Sequence, residues 1–310
     1  MRAPGSAQIL ILVGPTGVGK TDVSLHLARY LQAEILSADS RLIYRMMDIG
    51  TAKPGLEMRA EVPHHMIDLV DPDREYICKE FERGAREAIR AILARGRTPI
   101  VVGGSGLYVK ALVDGIFEGP GKDPALRREL EAQAGLRGKH HLWQKLEEVD
   151  PEKASQIDPE NLIRVIRALE VYHTTGVPMS ELEKQAEPIG IPYRKFGLRR
   201  ERQELYGLID ARVDRMVDRG FLEEVGRLVD RGYGDAPAVR ATLGYSEMVR
   251  HLEGSLSLEE AIGLVKRGTR HFAKRQMTWF RKDKEITWMD ITGRTDHAEI
   301  ASQIATLFTG

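Results

Sequence analysis

A short apolar run, Ile9 to Val13, leads directly into Gly14-Pro15-Thr16-Gly17-Val18-Gly19-Lys20-Thr21, and an amphipathic stretch opens at Lys20. The glycine-bearing run matches the pattern G-x-x-x-x-G-K-[ST], and its flanks supply the strand and the helix that the pattern needs. Glycines at these spacings let successive backbone N–H groups turn inwards, forming an anion cradle at a helix N-terminus. Lys20 then reaches the outer oxygens of a bound phosphate, and the Thr21 hydroxyl is placed for a Mg²⁺ ion. A tight strand-to-helix turn would explain the glycines but not the lysine behind them. The loop therefore predicts fold and ligand together: a parallel sheet with a phosphate-bearing molecule at its carboxyl edge.

The pattern around the loop agrees. Strands are expected at Ile9 to Val13, Glu34 to Ser37, roughly His65 to Val70, and Pro99 to Val102, with helices from Lys20, from about Lys79 and from Leu107. That alternation is the mark of an α/β, P-loop NTPase-like parallel sheet flanked by helices. After Glu118-Gly119-Pro120-Gly121 the character changes. Asp123-Pro124, Asp150-Pro151 and Asp158-Pro159 each offer an N-cap followed by proline at the first helical position. The last helix of this stretch places Leu162, Val165, Ile166 and Leu169 on one face and stops near Gly176-Val177-Pro178. An all-helical insertion domain over 118–192 thus interrupts a core made of 1–117 and 193–310. The core resumes with a strand at Tyr193 to Arg199 and helices near Arg202 to Arg219 and Phe221 to Arg231. A long helix follows from the capping box Ser257/Glu260 towards Arg281, and a last strand over Lys284 to Asp290.

Composition narrows the partners. Lys plus Arg equals Asp plus Glu, 46 each, so a polyanion must be held by a local basic face and not by a global field. The single cysteine, Cys78, excludes an intramolecular disulfide and a multi-cysteine zinc site, and fits a reducing, cytoplasmic setting. Met1 to Ala7 is too short and polar for a signal peptide, and Ile9 to Val13 is far short of a membrane span. His64-His65 and His140-His141 lack the company of a zinc site and suit packing or surface roles.

The loop alone leaves the chemistry open. An ATP-hydrolysing motor would show an apolar strand ending in an acid, whereas Pro99 to Val102 runs into Gly103-Gly104-Ser105-Gly106. Those glycines suit either close approach to a ligand or a simple tight turn. Asp39, after the second strand, falls at the carboxyl edge of the sheet, where it suits a general base facing an acceptor; a cap or loop role is the plainer alternative.

Several blocks together resemble the tRNA dimethylallyltransferases, also called tRNA isopentenyltransferases. They are Gly14 to Thr21, Ser37-Ala38-Asp39-Ser40-Arg41-Leu42 running on to Asp48-Ile49-Gly50-Thr51-Ala52-Lys53-Pro54, and Gly103 to Tyr108. Asn161 to Glu170, Leu243-Gly244-Tyr245, and Ala273-Lys274-Arg275-Gln276 with Thr278-Trp279-Phe280-Arg281 complete the set, in the family's order. Met46, Leu42 and Ser105 stand where many relatives have glycine, glutamine and threonine.

The resemblance implies transfer of a dimethylallyl group from dimethylallyl diphosphate to N6 of the adenosine 3′ of the tRNA anticodon, position 37, with Mg²⁺ assisting. It implies Asp39 as base or acceptor, and Thr16 and Arg212 as supports for the departing diphosphate in the loop Gly14, Pro15, Thr16, Gly17, Val18, Gly19, Lys20, Thr21. For tRNA it implies contacts from Asp39, Ser40, Arg41, Leu42, Ser105, Arg127, Asn161, Leu162, Ile163, Arg164 and Val165, on a monomeric enzyme that grips the anticodon stem-loop. A helix-face arginine such as Arg212 is also commonly a solvated ion-pair partner, and the apolar members of the Leu162 to Val165 run are explained by helix packing alone. The basic run Lys266, Arg267, Arg270, Lys274, Arg275, Arg281 and Lys282 is by itself most often a solvated face; with a tRNA substrate, phosphate-backbone contact becomes the better reading for some of its members. Two other readings share the loop: a P-loop small-molecule kinase of the nucleoside or shikimate type, and a nucleotide-dependent RNA-binding switch. Neither explains Met47 to Pro54.

Overall fold

The computed structural model describes residues 8–310; Met1 to Ala7, where no signal peptide was expected, lie outside the described residues. β1 (Ile9–Val13) leads through the phosphate loop into α1 (Lys20–Leu31), and β2 (Ala33–Ser37) follows. The short α2 (Leu56–Glu61) and β3 (His64–His65) precede α3 (Cys78–Ala94), β4 (Thr98–Gly103) and α4 (Gly106–Asp114). Then come α5 (Pro124–Arg137), α6 (Lys139–Val149), α7 (Pro151–Gln156), α8 (Leu162–Thr175) and α9 (Met179–Glu183). The chain ends with β5 (Tyr193–Arg199), α10 (Arg202–Asp218), α11 (Phe221–Asp230), α12 (Pro237–Arg240), α13 (Tyr245–Leu252), α14 (Leu258–Phe280), β6 (Ile286–Asp290) and α15 (His297–Thr309).

The strands form one parallel sheet in the order β3-β2-β4-β1-β5-β6. β1 lies inside it, with Leu10 opposite Ile100 and Leu12 opposite Phe196, and all its residues are buried. A strand covered on both faces needs apolar side chains at every position, which is why Ile9 to Val13 shows no alternation. On one side of the sheet α1 packs against α15 through Leu27, Ile300, Ile304 and Phe308. A second core gathers Ile43, Met47, Phe221, Val225, Tyr245, Met248 and Val265 around α10, α11, α13 and α14.

Val113–Ile189 form a separate compact unit, the remainder of the chain the other. The expected limits were 118 and 192. The earlier start has a local cause: Ile189 N–H donates to Val113 O at 2.9 Å, and Gly115, at φ 83°, lies so close to Glu187 that a Cβ would come within 2.4 Å of its carbonyl oxygen. The helical unit packs Leu130, Leu142, Leu146, Val165, Ile166 and Leu169 into its own core.

Two of the three Asp-Pro steps cap helices. Asp123 accepts from Ala125 N and Leu126 N, and Asp150 from Lys153 N. The third does not: Asp158 accepts from Glu160 N within a turn, and Asn161 caps α8 instead. The expected strand from His65 to Val70 also shrinks, to His64–His65 and an isolated Tyr44–Val70 bridge, because Met66 and Asp68 take left-handed backbone at φ 62° and 56°. Met46 is left-handed too, at φ 65°, which accounts for the glycine many relatives carry there. Among the described residues no helix is long and apolar enough to cross a membrane.

Candidate functional site

Parallel strands bring their carboxyl ends to one edge, so the loop after β1, Asp39 after β2, Gly103 to Ser105 after β4 and Arg200 after β5 converge. There a cavity of about 410 Å³ is lined by Thr16 to Asp22, Asp39, Thr51 and Arg212. Gly17 and Gly19 hold φ 80° and 106°, and a Cβ on Gly17 would meet Ile209 at 2.8 Å, so the loop tolerates side chains poorly at both. Lys20 folds back over the loop, its Nζ donating to Gly14 O at 2.9 Å and Pro15 O at 2.8 Å. Burial pushes its pKa down to about 7; Asp39 opposes the shift and Arg212 adds to it. Burial also lowers the pKa of Arg212, whose Nη2 donates to Thr51 O at 3.4 Å.

Asp39 closes a local turn, with Oδ1 accepting from Arg41 N at 2.9 Å. It also faces both this cavity and a second one of about 380 Å³, which shares Thr16, Asp39, Thr51 and Arg212 with the first. The second is walled by apolar side chains, among them Ile209, Val213, Met216, Phe221, Val265 and Phe272, with Ser40, Arg41 and Arg275 also on its lining. A cationic anion cradle thus opens past a carboxylate into an apolar chamber, all within one compact unit.

The glycines after β4 admit close approach, but by the chain itself. A Cβ on Gly103 would stand 2.1 Å from Ala38 O, one on Gly104 2.2 Å from Gln276 Nε2, and one on Gly106 2.2 Å from Trp279. Gln276, from α14, is a residue that sequence reasoning did not single out. It is 6% exposed, accepts from Thr16 N at 2.8 Å and donates to Gly104 O at 2.9 Å, tying the phosphate loop to the turn after β4. Ser105 accepts from Ser40 N at 3.1 Å and so braces the turn beyond Asp39. The only sequence signal for Gln276 was its place in the block Ala273 to Gln276.

The other candidates lie in the helical unit. Arg127 makes a two-pronged contact with Glu170 at 2.7 Å for each nitrogen, and Arg167 joins from the other side. Glu170 is fully buried; burial alone would raise its pKa, but the arginines and the Asp123 N–H overrule that and hold it at about 2. Asn161 accepts from Arg164 N, Ile163 is 80% exposed, Arg164 is exposed, Leu162 is half-buried, and Val165 is fully buried in the unit's core, so its side chain serves packing. Of the basic residues on α14, Lys266 pairs with Asp214 and Arg270 with Asp210, each at 2.6 Å. His65 pairs with Glu34 and His140 stacks on Trp143.

Thr21, Asp22 and Asp39 present oxygen donors to the first cavity, the ligand type a hard divalent cation takes. Among the described residues no group of three His, Cys, Asp or Glu could cage a metal, so an ion held here would draw on phosphate oxygens of its ligand as well.

Residues 42–283 match the family described as IPP transferase. The chain is 48% identical over 300 residues to the tRNA dimethylallyltransferase of Pelotomaculum thermopropionicum, covering 96% of this chain and 95% of that one. It is 50% identical over 288 residues to that of Thermomicrobium roseum, covering 92% and 86%. Among solved structures it resembles the tRNA isopentenylpyrophosphate transferase of Bacillus halodurans at 41% identity and TM-score 0.73, covering 98% of this chain and 96% of that one. It also resembles a eukaryotic dimethylallyltransferase acting on tRNA at 29% identity and TM-score 0.80, covering 97% and 78%. With its phosphate loop, its sheet-edge carboxylate and its glycine turn all in place, the chain belongs to the IPP transferase family.

Proposed function

We propose that the chain transfers the dimethylallyl group of dimethylallyl diphosphate to N6 of the adenosine 3′ of the anticodon in tRNA. The observation that carries this is the junction of two cavities at Thr16, Asp39, Thr51 and Arg212: the first holds the phosphate loop with Lys20, and the second adds a cluster of apolar side chains, Ile209, Val213, Met216, Phe221, Val265 and Phe272, beside Arg41 and Arg275. A diphosphate suits the first and a five-carbon tail the second. As the allylic C–O bond breaks, its electron pair stays on diphosphate oxygen. Inward-facing N–H groups of the loop, Lys20 and Arg212 stabilise that charge without reorganising, and Thr16 supports it from the loop. The attacking nitrogen bonds to the allylic carbon and loses a proton, for which Asp39 is the acceptor.

Thr21, with Asp22 and Asp39 nearby, would hold Mg²⁺, which supplies further neutralisation of the diphosphate. Ser40, Arg41, Leu42 and Ser105 at the sheet edge, and Asn161, Leu162, Ile163 and Arg164 at the start of α8, are assigned to the anticodon stem-loop. Unstacked loop bases are what proteins read in RNA, and the target base must leave its stack to react. Arg127 acts there chiefly by fixing α5 to α8, and Val165 by packing. A tRNA substrate and a single unpaired cysteine fit the cytoplasm, and the enzyme is assigned as a monomer on the family resemblance alone.

Purified protein with unmodified tRNA, labelled dimethylallyl diphosphate and Mg²⁺ should yield labelled tRNA. Phosphate transfer from ATP without prenylated adenosine would overturn the reading in favour of a kinase. Asp39→Ala should lower kcat about 100- to 10,000-fold, while tRNA Kd changes less than about tenfold. Loss of binding alone would remove Asp39 as the base.

A further inference from the structure

Glu224 lies on α11, 4% exposed, and its carboxylate is surrounded by neutral donors. Oε2 accepts from the backbone N–H of Asp48 at 3.1 Å and of Ile49 at 2.7 Å; Oε1 accepts from Gly50 N at 3.2 Å and from the buried Tyr245 hydroxyl at 2.5 Å. A buried carboxylate is costly unless its lone pairs are filled, and here one turn of the Asp48 to Pro54 stretch, remote in sequence from Glu224, fills them together with the Tyr245 hydroxyl. The same turn is closed from its other sides. The Thr51 hydroxyl donates to Met47 O at 2.6 Å, and Lys53 Nζ reaches Tyr44 O, Asp48 and Asp68. Gly50 is pressed so tightly against Phe221 and Tyr245 that a Cβ would stand 2.1 Å and 2.6 Å from their rings.

What this turn presents to the reaction chamber is Gly50 and Thr51. Thr51 lines both cavities, and its carbonyl is what Arg212 Nη2 donates to. At 3.4 Å that bond is long, so the position of Thr51 O sets where the guanidinium rests without holding it tightly. We propose that Glu224 is a positioning residue for the transfer: its carboxylate, with the Tyr245 hydroxyl, fixes the Asp48 to Thr51 turn and thereby aims Arg212 at the departing diphosphate. The inference rests on the diphosphate reading of the first cavity.

The test is a double-mutant cycle between Glu224→Gln and Arg212→Ala, read on affinity for inorganic diphosphate with Mg²⁺ by calorimetry and on kcat for prenyl transfer. Glutamine keeps the size but turns one acceptor oxygen into a donor that opposes a backbone N–H. Glu224→Gln should weaken diphosphate binding and lower kcat by about tenfold or more, leaving tRNA Kd within about twofold, and should cost less than about twofold when Arg212 is already alanine. Wild-type diphosphate affinity in Glu224→Gln, or losses that multiply in the double variant, would overturn the proposal, since a purely structural role has no reason to depend on Arg212. Should Glu224→Gln not fold, Tyr245→Phe removes a single hydroxyl and enters the same cycle with the same two outcomes. If the wild type binds diphosphate but prenylates no tRNA, the reaction assigned above falls while the cycle still judges the clamp.

Discussion

Lys20 tests the cradle most directly. In the free protein its ammonium lies against the carbonyls of Gly14 and Pro15, and burial brings its pKa to about 7 despite Asp39. A bound diphosphate sets negative charge beside it and restores the protonated form as the favoured one. Binding is then linked to proton uptake. With a free pKa of about 7, roughly one lysine in ten is neutral at pH 6, about nine in ten at pH 8 and about ninety-nine in a hundred at pH 9. Affinity for dimethylallyl diphosphate should therefore fall about 50-fold between pH 7 and pH 9, or roughly 2.3 kcal/mol. Calorimetry at pH 8 in buffers of different ionisation enthalpy should count about 0.9 proton taken up per site. Lys20→Arg keeps its charge across this range, so its affinity should be nearly flat and its proton count near zero, which also subtracts any titration of the ligand itself. A flat wild-type profile from pH 7 to 9, or the same slope in Lys20→Arg, would refute the argument.

The same depression carries a stability signature. The unfolded lysine titrates near pH 10.4 and the folded one near 7, so between these values the unfolded chain holds the extra proton; ligand-free protein should gain stability as pH rises through that window, and Lys20→Met should unfold at higher denaturant than wild type at pH 6. Gln276→Ala strands Thr16 N–H and Gly104 C=O, which should cost about 1–3 kcal/mol in chemical unfolding and weaken diphosphate binding; an unchanged midpoint would mean the bridge is idle. Glu170 is depressed too, so stability again rises with pH, but in an acidic window and as a net gain at pH 7: held at about 2 against 4.5 when unperturbed, it stabilises fully above pH 4.5 and loses that contribution as pH falls towards 2. Glu170→Gln should be less stable than wild type at pH 7, with the difference closing on acidification.

The phosphate loop and the strand before it were legible because everything that defines them lies within a few residues: glycines at positive φ, a lysine at the first helical turn, an apolar run with no alternation. Asp39 was legible for the same reason, as the first acid after a strand. What escaped depends on closure of the chain over long distances. Gln276 reaches back to Thr16 across most of the sequence, and beyond its place in the block Ala273 to Gln276 no local feature distinguishes it from a surface glutamine. Glu224 follows Glu223 on an amphipathic helix and reads as one of two solvated acids until the Asp48 to Gly50 turn is seen above it. The glycines after β4 could be read as space for a ligand or for a turn, because sequence does not say that Ala38, Gln276 and Trp279 occupy that space. α15 was missed although its Asp296 cap and its Ile300, Ile304, Phe308 spacing are ordinary helix signals; it completes the layer over α1.

These assignments separate chemistry from support in a way the motifs alone obscure. The stretch Asp48 to Pro54 is the most specific part of the sequence, yet its polar groups turn inward: Thr51 onto Met47, Lys53 onto Tyr44, Asp48 and Asp68, and three backbone N–H groups onto Glu224. The groups suited to bond-making and bond-breaking, Lys20, Asp39 and Arg212, are ordinary residue types that many phosphate-binding proteins carry. Specificity for this reaction then resides less in which charges surround the diphosphate than in the frame that places them around an apolar chamber. An allylic diphosphate that ionises in water is captured by water, so the proposed transfer calls for shielding as well as charge, and Ile209, Val213, Met216, Phe221, Val265 and Phe272 on the second cavity are the side chains suited to give it. A kinase with the same loop needs no such wall, because both its substrates are polar where they react. On the proposed reading, that apolar wall beside the cradle is what separates a prenyl-transfer site from a general anion site.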